Sequence, residues 1–148
     1  HALETGLPLW ICGVHVPCAF GAKGHSDADA PLHALTDALL GASALGDIGK
    51  LFPDTDPAYK GISSLILLQR AYTLVAREGW RLGNADLTIA LQAPKIAQYH
   101  DAMVQSIADC LSVSTSVISV KATTTEHLGF VGRGEGIAAW AVVSLVKP

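Results

Sequence analysis

Near its end the chain carries Ile137-Ala138-Ala139-Trp140-Ala141-Val142-Val143-Ser144-Leu145-Val146, a run that few folds can accommodate. Its β-branched and aromatic residues read as a strand, and the side chains of a strand alternate between two faces. Ile137, Ala139, Ala141, Val143 and Leu145 fall on one face, and Ala138, Trp140, Val142, Ser144 and Val146 on the other. Neither set is polar, so both faces need cover. The helices of one chain can cover one face of a sheet, and the second must then meet another copy, for which closed rings are the usual solution.

The remainder supplies the covering helices and the partner strands. Leu32, Leu35 and Leu39 at helical spacing predict a helix, with Ser26, Asp27 or Asp29 as its cap and Pro31 in its first turn. A second helix is expected from about Ser63 to Glu78, stopped by Gly79, and a third from about Gln98 to Leu111. Between them Arg81 to Gln92 alternates Ala85, Leu87, Ile89 and Leu91 against Asp86, Thr88 and Gln92, the pattern of a strand with one face buried. Val117 to Ala122 reads as the next strand, Leu9 to Cys12 with Val14 to Val16 as a short hairpin, and Phe20 to Gly24 as a loop. Helices interleaved with strands indicate an α+β two-layer sandwich, a mixed β-sheet with helices on one face. With 148 residues and no internal repeat or linker, residues 1–148 are expected to form a single domain, with any strand upstream of His1 outside this sequence.

Composition excludes several classes of partner. The net charge is −3 with no basic run, which argues against nucleic acid, and no apolar stretch approaches the roughly 20 residues of a membrane span. Charged residues make up 16% and apolar residues 50%, against about 25% charged in an average soluble chain. That imbalance again favours an oligomer. Cys12, Cys18 and Cys110 are odd in number and lack metal-type spacing, which suits reduced thiols in a cytosol-like compartment.

Chemistry concentrates in two stretches. On the first predicted helix Asp29, His33 and Asp37 stand four apart, each turned about 40° from the last, and share one face. Asp29 and Asp37 are separated by roughly 12 Å of rise, too far to ligate one ion, so His33 is the candidate ligand and the two carboxylates candidates to orient it. The alternative is a solvated helix face. Beyond the helix, Gly46-Asp47-Ile48-Gly49 and Phe52-Pro53-Asp54-Thr55-Asp56 read as loops dense in donors and carboxylates. The second stretch sets Thr123, Thr124, Thr125 and Glu126 before Gly129, Gly132, Arg133, Gly134 and Gly136. Hydroxyls, a carboxylate, an arginine and free backbone suggest a polyphosphate cradle, though the Walker ending is missing.

Three words carry a resemblance: HSDADAPLHALTDALLGASALGDIGKLFPDTD from His25 to Asp56, LQAPK from Leu91 to Lys95, and KATTTEHLGFVGRGEGI from Lys121 to Ile137. In this order they resemble the 2-C-methyl-D-erythritol 2,4-cyclodiphosphate synthases of the non-mevalonate isoprenoid pathway, over essentially the whole chain. The resemblance implies a homotrimer whose sheets pack around a threefold axis, acting on a small-molecule cytidine diphosphate substrate. It implies zinc or another divalent metal on His1 and His33, completed by an Asp two residues before His1, and magnesium or manganese on Glu126. His25 and Thr124 would stabilise the transferring phosphoryl group, with Ser26 beside His25 as a phosphate contact. Asp47, Ile48 and Gly49 would hold the nucleotide sugar, and Phe52, Pro53, Asp54, Thr55 and Asp56 the polyol phosphate. Leu91, Gln92, Ala93, Pro94, Lys95, Ile96 and Ala97 would line a cytidine pocket across a subunit boundary, with Thr123, Thr125, Phe130 and Arg133 as further substrate contacts.

The implied reaction is intramolecular: a 2-phosphate attacks the β-phosphorus of the cytidine diphosphate, CMP leaves, and a cyclic diphosphate closes. Such chemistry asks for positioning and charge stabilisation and for no protein nucleophile, in keeping with motifs rich in Asp, His and Thr. The implied location is cytoplasmic in a bacterium, or a plastid-type organelle if a leader was removed. Two departures from the family pattern stand out. His127 replaces the usual Lys after the Glu, removing a fixed charge, and Trp140 replaces a frequent acidic residue near the threefold axis. The rival classes are a zinc-dependent phosphohydrolase, which would give linear products, and a nucleotide sensor, which would bind without turnover.

Overall fold

The computed structural model describes all 148 residues, His1–Pro148. Four short strands come first: β1 (Leu3–Thr5), β2 (Leu9–Ile11), β3 (Val14–Val16) and β4 (Phe20–Ala22). They are followed by α1 (Ala30–Ala42), the single-turn α2 (Ile48–Leu51), α3 (Ser64–Arg77), β5 (Arg81–Ala90), α4 (His100–Leu111), β6 (Ile118–Thr123), the single-turn α5 (Gly129–Gly132) and β7 (Ala138–Val146).

β5 is the central strand of the main sheet, parallel to β6 and antiparallel to β7. Its alternation does what the sequence predicts: Ala85, Leu87 and Ile89 are fully buried under the helices. α1 lies across β7 and β5, α4 against β6, and α3 packs on both helices, so one sheet face carries the helical layer. Leu32, Leu35 and Leu39 of α1 are all fully buried, each contributing about 1.5–3 kcal/mol of hydrophobic stabilisation. The boundaries follow local signals. Asp29 caps α1 by accepting from Leu32 N at 3.2 Å, Ser63 caps α3, and Gly79 at φ 87° takes the left-handed turn that stops α3.

The other sheet face is uncovered. Trp140 is 59% and Val142 71% exposed, beside an Asp86–Lys121 ion pair of 2.7 Å and a Ser144–Asn84 hydrogen bond of 2.6 Å. The Lys121 hydrogen bond holds the Asp86 carboxyl below the usual carboxylate range.

Two expectations need correction. Phe20 to Gly24 is not simply a loop, because Phe20–Ala22 is β4, paired antiparallel with β1. Gly21 lets β4 lie against the Leu7–Pro8 backbone that follows β1, since a Cβ there would stand 2.0 Å from the Pro8 carbonyl oxygen. Ile48 and Gly49 likewise lie in a helical turn, α2, and not in a loop, because Asp47 Oδ1 accepts from Lys50 N at 2.7 Å and caps it.

Candidate functional site

The site is built outward from a pair of imidazoles. The His1 backbone nitrogen donates to Ile137 O at 2.9 Å, and Ile137 N donates back to His1 O at 2.9 Å. This two-bond bridge continues into the Ala2–Gly136 pair and holds His1 beside α1. His1 Nε2 then lies 3.1 Å from His33 Nδ1, the two rings meeting edge to face at 73°. Burial holds the His33 imidazolium below its ordinary range, with Asp27 pulling the other way, so the neutral ring a metal needs is favoured.

Neither helix carboxylate orients His33. Asp29 is fully buried and points away from the site, its oxygens accepting from Cys12 N at 2.9 Å and Gly13 N at 2.7 Å besides Leu32 N. It ties α1 to the β2–β3 hairpin, and burial pushes its carboxyl up to about 7 against the pull of the Gly13 N–H. Asp37 accepts from Ile48 N at 2.7 Å and anchors α2. Four-residue spacing places these groups on one face of α1, but α2 and the hairpin offer closer donors than His33. The partners of His33 Nε2 are Ser64 Oγ at 2.8 Å and Ser26 Oγ at 3.1 Å. Ser64 has no signature in the sequence beyond its place at the start of α3.

A cleft of about 460 Å³ opens at the imidazole pair, lined by His1, Gly24, His25, Ser26, His33, Ile48, Gly49, Phe52, Asp54, Tyr59 and Leu67. Of these, Gly24, Tyr59 and Leu67 escape the sequence reading. Tyr59 meets Phe52 edge to face at 5.5 Å. Asp47, Pro53, Thr55 and Asp56 are outside the lining; of these, Asp47 caps α2 and Asp56 Oδ1 accepts from Ala58 N at 2.9 Å behind it. The Asp56 carbonyl also accepts from His25 Nε2 at 2.9 Å, which sets the His25 ring.

A second, larger cavity of about 560 Å³ joins two distant words. Leu91, Gln92, Pro94, Lys95, Ile96 and Ala97 form one wall, and Thr123 and Thr124 at the end of β6 form another. Gln98 just before α4, His100, Asp101 and Met103 in its first turn, and Val120 and Ala122 of β6 complete it, all outside the predicted set, while the predicted Ala93 stands off the lining. Gln92 Oε1 accepts from His127 N at 3.2 Å and ties the two words together. The two clefts share no lining residue within one chain.

Several predicted residues stand outside both clefts. Thr125 Oγ1 donates to Leu128 O at 2.6 Å and closes a turn. Glu126 is exposed in a left-handed conformation at φ 52°. Arg133 makes a bidentate pair with Glu135 at 2.8 and 3.2 Å, which raises its guanidinium pKa. Phe130 lines a third cavity, of about 420 Å³, with His1, Ala30, His33, Ala34, Asp37 and Ile137 to Trp140. No three His, Cys, Asp or Glu side chains come together in an arrangement that could hold a metal ion, so His1 and His33 stand as a pair.

A family model described as the YgbB family matches residues 1–146. A 2-C-methyl-D-erythritol 2,4-cyclodiphosphate synthase of Glaesserella parasuis is 58% identical over 148 residues, covering 100% of this chain and 89% of the relative. A bifunctional enzyme IspD/IspF of Campylobacter curvus is 57% identical over 145 residues, and there the match covers 98% of this chain but only 39% of the longer enzyme. Among solved structures, a 2-C-methyl-D-erythritol-2,4-cyclodiphosphate synthase in a form with CDP bound superposes with a TM-score of 0.90 at 42% identity, over 99% of this chain and 95% of that one.

Proposed function

The chain belongs to the YgbB family, and from that premise we propose that it cyclises 4-diphosphocytidyl-2-C-methyl-D-erythritol 2-phosphate to 2-C-methyl-D-erythritol 2,4-cyclodiphosphate with release of CMP. It is then a phosphorus–oxygen lyase of non-mevalonate isoprenoid precursor biosynthesis. The observation that carries the reading to this chain's own residues is the His1–His33 pair in a cleft also lined by His25, Ser26, Phe52 and Asp54.

The residues fit a divalent metal. Two imidazole nitrogens on one tetrahedral zinc stand roughly 3.3 Å apart, given Zn–N bonds of about 2.0–2.1 Å, and the observed separation is 3.1 Å. His1 and His33 would hold it, and when bound it would supply a Lewis acid for the phosphate oxygens. In the family pattern the third ligand is an Asp two residues before the first His. Glu126 would hold a second cation, magnesium or manganese.

The chain's own residues do the rest. His25, set by the Asp56 carbonyl, and Ser26 lie where phosphate oxygens of the substrate would enter the cleft. Ile48, Gly49, Phe52 and Asp54 shape its far wall for the sugar and polyol phosphate. Thr124 faces the other cavity, whose Leu91 to Ala97 wall is of a size for a pyrimidine nucleoside. On this reading a neighbouring copy donates the second cavity, so that the nucleotide and polyol ends meet in one active site; the absence of any shared lining residue within one chain supports it. A homotrimer packed through the exposed Trp140 and Val142 face would do this.

Incubation with the linear substrate and mass analysis of the products tests the reading. The cyclic diphosphate with one equivalent of CMP is expected. A linear product would instead identify a phosphohydrolase, and nucleotide binding without turnover a sensor.

A further inference from the structure

We infer that Ser64 and Asp27 are positioning residues which fix the ring proton of His33 on Nε2 and so leave Nδ1 bare toward His1. The inference rests on the reading of His1 and His33 as metal ligands proposed above. Its geometry stands apart from that reading.

Ser64 is buried at the first turn of α3, with only 1% of its surface exposed. Its Oγ lies 2.5 Å from Asp27 Oδ1 and 2.8 Å from His33 Nε2, and its backbone N–H donates to Asp27 Oδ2 at 3.0 Å. A serine hydroxyl has one proton to donate, and an ionised carboxylate can only accept. The Ser64 proton is therefore committed to Asp27. At 2.8 Å the remaining contact is favourable only if His33 Nε2 carries a hydrogen and donates it to Ser64 Oγ. Ser26 Oγ, at 3.1 Å from the same nitrogen, accepts from Ala28 N at 3.2 Å and can share that hydrogen. In a neutral ring a hydrogen on Nε2 means a lone pair on Nδ1, the atom that faces His1 Nε2. The Asp27 charge, relayed through Ser64, also raises the basicity of that lone pair, as carboxylates do behind metal-bound histidines.

A role for Asp27 and Ser64 in capping α3 alone would leave the tautomer of His33 indifferent to both. The test uses the full-length protein stripped of metal, at a pH where the imidazole is neutral. Ring-nitrogen NMR shifts, assigned through the signals lost in His33→Gln, report where the proton resides. The wild type should show it on Nε2. In Ser64→Ala a substantial share should move to Nδ1, and Ser64→Thr, which keeps the hydroxyl, should restore the wild-type pattern. Asp27→Asn is a second, independent variant: its amide can donate to Ser64, freeing the hydroxyl proton for Nε2 and driving the ring hydrogen to Nδ1. Zinc competition against a chelator should then show affinity weakened about 10–100-fold in Ser64→Ala and in Asp27→Asn, and largely kept in Ser64→Thr. An unchanged tautomer in both variants would overturn the inference. A wild type that binds no zinc would overturn the metal reading instead, with the tautomer still deciding the role of Ser64.

Discussion

Asp37→Ala separates two roles for one carboxylate. Spacing on α1 suggests that Asp37 orients His33, whereas the structure gives it to Ile48 N at 2.7 Å, as the bond that anchors α2 to α1. A hydrogen bond to a charged group is worth about 1.5–3 kcal/mol when sheltered, and Asp37 is exposed, so about 1 kcal/mol is a fair value here. α2 keeps its own turn in the variant, because Asp47 Oδ1 still accepts from Lys50 N and Ile48 O from Phe52 N. What is lost is its placement against the cleft. Since about 1.4 kcal/mol is tenfold in an equilibrium, KM should rise roughly fivefold with a smaller change in kcat. The fall in Tm should be no more than about 2–4 °C, as the core is untouched. Bound zinc should match the wild type, and Asp37→Asn, whose carbonyl still accepts, should fall between. Steady-state kinetics, thermal melts and metal analysis read out all three. Loss of zinc with an unchanged KM would refute this account and return Asp37 to His33.

Four further outcomes are expected. His33→Ala should lose bound zinc and most activity, and full zinc occupancy by metal analysis in that variant would count against the assignment. Glu126→Gln should keep zinc while raising the magnesium needed for turnover, so an unaltered magnesium titration would remove Glu126 from a metal role. In the metal-free protein the unfolded chain binds the His33 proton more readily than the folded one, because burial lowers the folded pKa from 6.5. Stability should therefore fall as pH drops through 6.5 toward that lower value, and His33→Gln should flatten this limb of the melting curve. The protein should run as a trimer by light scattering at micromolar concentration, with three Trp140 side chains narrowing the axis so that geranyl diphosphate binds weakly or not at all. A monomer mass would dispose of the assembly, and tight geranyl diphosphate binding of the narrowed axis alone.

The elements that could be read directly were those set by neighbours in sequence. α1 follows from an Asp29 cap, a first-turn Pro31 and leucines on one stripe, and β5 from strict alternation, because caps and periodicities act over one turn or two residues. The apolar β7 likewise announces a sheet strand with an uncovered face before any partner is known. β4 was illegible, since Phe20-Gly21-Ala22 has no alternation to show and forms only because β1 lies alongside. The partners of the charged groups were hidden in the same way. Asp29 and Asp37 sit at regular spacing about His33, yet they turn to Gly13 and Ile48, while His33 takes Ser64, which lies 31 residues along the chain. A carboxylate or imidazole binds the best-aimed donor within about 3 Å, and which donor that is depends on where distant segments come to rest. Periodicity thus determined which side of each element is buried, and the packing of α2, α3 and the hairpin around α1 decided which polar atoms meet.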